Sequence, residues 1–238
     1  FIENVPGFDK KDESPICKFK VYPRENGYTF KDGTVNAKYY NVPQNRNRYV
    51  LLASRINKKV IFPEENRKQL LSVKKAIGDT KIFKKIEAGH IDKTSFQHTS
   101  AGLSEKNLKR ISLTPKDGGS RLSWENETEL QLHCYKKHKG HSDVYGRMSW
   151  KNPSPTITTR FNSLSNGRYG HPEQDRAISL REGATLQSFP LDYVFYAESK
   201  NTIAKMIGNA VPPELAYYFA TAIRNMYKEF LCQKHKIS

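Results

Sequence analysis

Cysteine is scarce in this chain: Cys17, Cys134 and Cys232 are the only three in 238 residues. They are too few and too scattered for a disulfide framework, and fit reduced thiols. Nothing approaches the roughly 20 consecutive apolar residues that span a bilayer, so no membrane partner is expected. No N-terminal stretch has the basic-then-apolar pattern of a secretory signal. Internal repeats and low-complexity tracts are missing too. These absences exclude the disulfide-rich secreted and membrane classes and make a cytoplasmic location the expectation.

Acidic residues are also in the minority, 24 against 40 lysines and arginines, which leaves a formal charge of +16. Such an excess points to a polyanionic partner, most commonly nucleic acid. Hydrophobic residues make up 37% of the chain, enough for a substantial core. Phe1-Ile2 reads as the tail of a buried strand that Pro6-Gly7 ends. Glu3 sits at its C-terminal edge, where open α/β sheets place their chemistry. Gly27-Tyr28-Thr29-Phe30 reads as a short strand, Asp32-Gly33 as a turn, and Arg48 to Ser54 as a nearly continuous apolar run. A run of that kind suits a strand covered on both faces. These strands are expected to lie parallel and to leave a long open sheet edge.

From Asn57 to Pro153 the chain becomes Lys-rich and interrupted by glycines. A helix is expected after Pro63, with Leu70, Leu71, Val73 and Ile77 on one face and Gly78 as its stop. A second should follow Ser104, an N-cap for Glu105 to Ile111. Pro212-Pro213 then introduces a long helix. Leu215, Ala216, Phe219, Ala220, Ile223, Met226, Tyr227 and Phe230 recur along it at the spacing of a core face.

Four short stretches carry more specific information: Glu3-Asn4-Val5, Gln44-Asn45-Arg46-Asn47-Arg48, Arg181-Glu182-Gly183-Ala184-Thr185-Leu186-Gln187-Ser188-Phe189-Pro190, and Gly208-Asn209-Ala210-Val211-Pro212-Pro213. Together and in this order they resemble the DNA (cytosine-5) methyltransferase family, over essentially the whole chain. The resemblance implies an α/β fold. Residues 1–56 would hold the last strands of a Rossmann-like S-adenosylmethionine-dependent methyltransferase sheet, and 57–190 a loop-rich target-recognition domain. Residues 191–238 would form a C-terminal segment whose helix returns to the catalytic domain.

Carbon 5 of cytosine is a poor nucleophile until a group adds to carbon 6, and addition is helped by a proton at ring nitrogen N3. A carboxyl group fixed beside N3 and the exocyclic amine supplies that proton and selects cytosine over thymine. The resemblance gives this role to Glu3, whose pKa burial must raise. It places Arg48 at the oxygen on carbon 2 of the extruded base and Arg46 near the sugar–phosphate, tasks suited to permanently charged guanidinium forks. Asn209, with Ala210 and Val211, would help form the S-adenosyl-L-methionine pocket. Asn4 would order the turn. Arg181-Glu182 and the Phe189-Pro190 end read as structural.

Extruding a base costs unstacking energy, so the enzyme must grip the duplex firmly. Gln44, Arg110, Lys116, Arg121, Arg147, Thr156, Thr158 and Arg160, with Lys136, Lys137 and Lys139, are the candidates for contacts to double-stranded DNA. Thr156, in Pro155-Thr156-Ile157, resembles the family's Thr-(Leu/Val/Ile) signature and would approach the phosphate of the flipped nucleotide. His133, Cys134, His138 and His141 read as a basic loop rather than a zinc site, because no second cysteine lies nearby, and no metal is expected.

The family's Phe-x-Gly-x-Gly cofactor segment and its Pro-Cys nucleophile motif do not occur. Cys17, in Ser14-Pro15-Ile16-Cys17, is one residue off that motif and follows Glu3, where the nucleophile should come before it. A thiolate has no visible substitute. The expectation is therefore an N-terminal half or partner subunit that carries the Pro-Cys loop and completes the cofactor pocket, this chain alone being inactive. The alternative is a catalytically inactive DNA-binding module derived from the family. Retention of Glu3, Arg48 and Asn209 argues against it. A tRNA-directed enzyme is disfavoured by the length and charge of the recognition region.

Overall fold

The computed structural model describes residues 1–7, 14–56, 59–131 and 143–235. In chain order its strands and helices are β1 (Ile2–Asn4), α1 (Pro15–Glu25), β2 (Thr29–Asn36), β3 (Asn47–Ser54), α2 (Val73–Ile77), α3 (Glu105–Leu113), α4 (Leu180–Leu186), α5 (Lys200–Asn209) and α6 (Pro213–His235). The chain divides into two compact units. One contains Phe1–Asn41, Arg46–Gln69 and Val211–Ser238, and the other Val42–Asn45 and Leu70–Ala210. The composition change at 57 is thus followed by a structural boundary only at 70, and the return expected at 191 comes at 211.

The first unit is built on β3, whose Tyr49, Val50, Leu51 and Leu52 are all buried. Successive strand residues point to opposite faces, so a continuous apolar run needs cover on both sides. On one face Tyr49 and Leu51 pack with Ile2, Phe30 and Ala53 under Ile16 and Cys17 of α1. On the other, Leu52 packs with Val60, Phe62 and Met226, the last from α6. Pro15 opens α1, and the Ser14 side chain accepts from the Cys17 amide. Within α6, Leu215, Phe219 and Met226 are buried, while Ile223 and Tyr227 are 40% and 51% exposed. Only part of the expected apolar stripe is therefore core.

The sheet order is β1-β3-β2. Both pairings are antiparallel, contrary to the parallel arrangement expected. For β2 and β3 the reason is the connection. A parallel crossover needs a dozen or more residues, usually a helix, and here only a 3-10 turn at Ala37–Tyr39 and a short loop intervene. Asp32-Gly33 does not turn either; β2 runs straight through it, Asp32 opposite Leu51 and Gly33 opposite Val50. The Asp32 carboxylate accepts from the Tyr49 hydroxyl at 2.7 Å and pairs with Lys20 at 2.6 Å, which holds it in the strand.

The second unit has short helices and, among its described residues, no strand beyond isolated bridges. Serine caps open its helices: Ser72 for α2, Ser104 for α3, Ser179 for α4 and Ser199 for α5. The α2 helix is shorter than expected and leaves Leu70 exposed, while Val73 and Ile77 enter the core and Gly78 caps the end. That core gathers Phe83, Phe161, Tyr169, Leu186, Phe195 and Ile207. Loop carbonyls are tied by buried guanidinium groups. Arg147 donates to Thr114, His171, Gln174 and Ile111 carbonyls at 2.6–2.9 Å and pairs with Asp175. Arg181 donates to the carbonyls of Phe96, Pro190 and Tyr193. Among the described residues no helix is long and apolar enough to cross a membrane.

Candidate active site

Register in the first unit brings three of the expected site residues together. Glu3 stands opposite Val50 across the β1–β3 pair, so both side chains leave the same face. Residues two apart on a strand share a face, which puts Arg48 diagonal to Glu3, within reach of a long side chain. The Arg48 Nε lies 2.9 Å from Glu3 Oε1, and each side chain is only about an eighth exposed, 12% and 13%. Arg48 also donates to the Asn47 carbonyl at 2.7 Å. Arg46 is buried. Its backbone is fixed at both ends of the peptide, its amide donating to Asn36 Oδ1 and its carbonyl accepting from Ala37. Next to Glu3, Asn4 Oδ1 accepts from the Val5 amide at 2.8 Å, which orders the exit from β1.

The electrostatics are set by burial. Removal from water raises the Glu3 pKa above 4.5, more than the neighbouring charges of Arg48 and Arg46 lower it. Burial likewise lowers the Arg48 pKa against the opposing pull of Glu3. Each partner loses more hydration than the pairing restores, so the Glu3 carboxyl is biased toward holding a proton. Side by side, a carboxyl and a guanidinium offer a proton or acceptor at one position and fixed donors at the next.

Cys17 lies on the opposite face of the sheet from Glu3, packed with the cluster of Tyr49 and Leu51. Its sulfur accepts a 3.2 Å hydrogen bond from the Ser14 hydroxyl. Cys232 is exposed on α6. Asn209 ends α5 with its side chain exposed, and the Ala210 carbonyl accepts from Gln187 Nε2 at 3.1 Å. Val211 belongs to the first unit and the two residues before it to the second.

The residues expected to contact DNA separate into two groups. Gln44 is fully buried, a correction to its reading as a DNA contact. Its amide donates to the Leu186 carbonyl and to Gln187 Oε1 and accepts from the Ile157 amide, joining three segments of the second unit. Arg147, Arg110 and Arg121 are corrected likewise, being buried at 0%, 5% and 6% exposure. Arg110 donates to the Leu130 carbonyl and Asn107 and lies over the rings of Trp124 and Tyr145. Arg147 directs all three guanidinium nitrogens to loop carbonyls and Asp175. Lys116, Thr158 and Arg160 remain exposed, although Lys116 pairs with Asp175. The Thr156 hydroxyl donates to the Asn45 carbonyl at 2.8 Å.

Lys136, Lys137 and Lys139, and the His133, Cys134, His138 and His141 group, lie outside the described residues. Among the described residues no three His, Cys, Asp or Glu side chains are grouped to hold a metal ion. Sequence reasoning also missed the true partner of Glu182. Neighbouring helical residues point about 100° apart, so Arg181 cannot pair with it. Arg176 does, through two 2.7 Å bonds. The capping-box spacing Ser179-x-x-Glu182 was the available signal.

Comparison with known proteins places the chain. Residues 1–225 match the family model for C-5 cytosine-specific DNA methylases. The Type II methylase M.HgiDII of Herpetosiphon aurantiacus is 37% identical over 99% of this chain and 67% of its own length. The Type II methyltransferase M1.BsuMI of Bacillus subtilis is 31% identical over 92% of this chain, which spans about half of that relative, 49%. Among solved structures, a prophage-encoded E. coli protein described as a DNA modification methyltransferase superposes with a TM-score of 0.68 at 19% identity. That match covers 95% of this chain and 68% of the other, and shows a shared α/β fold. This chain belongs to the C-5 cytosine-specific DNA methylase family.

Proposed function

We propose that this chain is the part of a DNA (cytosine-5) methyltransferase that receives the flipped cytosine and grips the duplex, and that Glu3 is its proton donor. The observation that carries the reading is the Glu3–Arg48 pair, with Arg46 beside it and the carboxyl pKa raised by burial. When a thiolate adds to carbon 6, the ring gains an electron pair. A proton passing from the Glu3 carboxyl to N3 balances it and leaves a carboxylate between two guanidinium groups. Arg48 donates to the oxygen on carbon 2, and Arg46 holds the sugar–phosphate. The exposed, unpartnered Asn209 amide suits the polar end of S-adenosyl-L-methionine, which when bound supplies the methyl group.

Neither Cys17, on the far face of the sheet, nor exposed Cys232 is placed to attack beside Glu3. Cys134 lies outside the described residues and follows His133, not a proline. On this reading the nucleophile comes from an N-terminal half or partner subunit, which also completes the cofactor pocket, and this chain alone is inactive. Type II relatives suggest a restriction-modification setting. Lys116, Thr156, Thr158 and Arg160 are the remaining candidates for contacts to double-stranded DNA.

The test pairs this chain with the polypeptide bearing the Pro-Cys and glycine-rich segments. Methyl transfer to duplex DNA and covalent trapping on 5-fluorocytosine duplex are then measured. Glu3→Gln keeps the shape but cannot release a proton, and should lower the methylation rate about 100- to 10,000-fold, the range of general acid catalysis, with little change in DNA affinity. Equal losses of rate and affinity would remove Glu3 from the proton step. DNA binding with neither methylation nor trapping would favour the inactive-module alternative.

A further inference from the structure

The second unit contains a polar cavity of 490 Å³ between the 159–166 loop and α5. Arg160 and Lys205 bring two positive charges to it, and Asn162, Asn166 and Asn201 bring side-chain amides. Three hydroxyls from the 159–165 stretch complete the donors, and neither a carboxylate nor an aromatic ring lines the walls. No ion pair among the described residues involves Arg160 or Lys205. Another charged pocket, at the start of α3, differs: there Lys106 and Lys109 face Glu105 and Glu129, and Lys109 pairs with Glu129.

The walls are fixed by packing. Ile203, Ala204 and Ile207 bury one face of α5, which turns Asn201 and Lys205, one helical turn apart, outward together. Phe161 is buried in the core between Arg160 and Asn162 and pins the loop. Gly208 lets α5 meet that loop backbone to backbone; a Cβ there would lie 2.4 Å from the Thr158 carbonyl carbon. The cavity is therefore formed before any ligand arrives.

We propose that this cavity is a phosphate-binding subsite. Arginine, lysine, asparagine and hydroxyl side chains are the groups that hold phosphate oxygens in nucleic-acid complexes. A base would want an aromatic platform, and a cytosine amine would want a carboxylate; the cavity has neither. The phosphate is a phosphodiester of bound duplex DNA or a free phosphate ion. Only the first source rests on the DNA reading above.

The test compares the full chain with its Arg160→Gln/Lys205→Gln variant. Both positions are exposed, so the variant should fold. Inorganic phosphate added to the parent should shift the side-chain amide signals of Asn162, Asn166 and Asn201 in nitrogen-correlated NMR spectra, and the variant should show no shift. The slope of log affinity against log salt for duplex DNA should be shallower in the variant by about 0.9, the value for one phosphate contact. A slope change without a phosphate shift supports the subsite for phosphodiesters alone. A phosphate shift in a chain that does not bind duplex supports it for free phosphate and counts against the DNA reading. Unmoved amides together with an unchanged salt slope overturn the subsite and leave the DNA reading standing.

Discussion

In the first unit, Arg48 stands beside Glu3 on the face of a sheet, both side chains still partly open to solvent. In the second, Arg147, Arg176 and Arg181 are sealed among loop carbonyls and one buried carboxylate. The first unit draws its backbone order from strand ladders and an apolar face on each side of β3. The second has almost no ladders. Its loop carbonyls need donors from elsewhere, since a buried unpaired carbonyl costs about 1–3 kcal/mol. Guanidinium groups supply several donors each. One kind of side chain thus pairs with an acid on a sheet face in one region and serves as scaffolding in the other.

Changes that break the scaffold should cost most. Glu182 is fully buried and bound to Arg176 at both oxygens. Glu182→Gln leaves a buried guanidinium uncompensated, and should lower stability by about 3–5 kcal/mol in urea denaturation. Acid should act on the same cluster. Burial holds the His171 pKa down at about 4 from 6.5; burial pushes Glu182 up, but the charge and hydrogen bonds of Arg176, with His171 and His98, outweigh it and hold Glu182 at about 2 from 4.5. For both groups the unfolded chain binds protons first, so stability is present at neutral pH and falls with pH. The loss runs from 6.5 toward 4 for His171 and from 4.5 toward 2 for Glu182. His171→Gln should remove the upper part of that acid limb in a stability–pH profile. Glu3 carries the opposite sign: its raised pKa gives a contribution present below 4.5 and lost as pH rises through the raised value.

Gly183→Ala tests packing rather than charge. The added Cβ would lie 2.1 Å from the Phe161 ring, and overpacking of that kind should cost about 1–3 kcal/mol in thermal or urea unfolding. The smallest effect belongs to the candidate active site. Burial already biases Glu3 toward its neutral form, and Arg48 stays charged but partly open to solvent, so Glu3→Gln should change stability by about 1 kcal/mol or less, the scale of one net hydrogen bond. A loss as large as that of Glu182→Gln would erase the distinction between the two regions.

Much of the first unit was legible in sequence. The apolar run of β3 announced a strand buried on both faces. The partner register that sets Glu3 beside Arg48 is a property of strand pairing, which single-strand periodicity does not carry. Strand direction was misread because Asp32-Gly33 read as a turn, which hid that β2 runs on to Asn36 and leaves only a short connection to β3. In the second unit, serine caps marked the helix starts. Burial of Gln44, Arg110, Arg121 and Arg147 was not visible, because an arginine has the same letter whether it meets phosphate or loop carbonyl. Asn162, Asn166 and Asn201 form no pattern until α5 brings their segments to one cavity.

The helix that covers one face of β3 has a consequence for the order of assembly. Every residue of the second unit precedes α6 in the chain. During synthesis from the N-terminus, domains fold as their residues emerge. The second unit therefore has its full complement while Leu52, Val60 and Phe62 still lack Met226 and the rest of α6. On the ribosome, the part that carries Glu3 is begun before the second unit and closed after it.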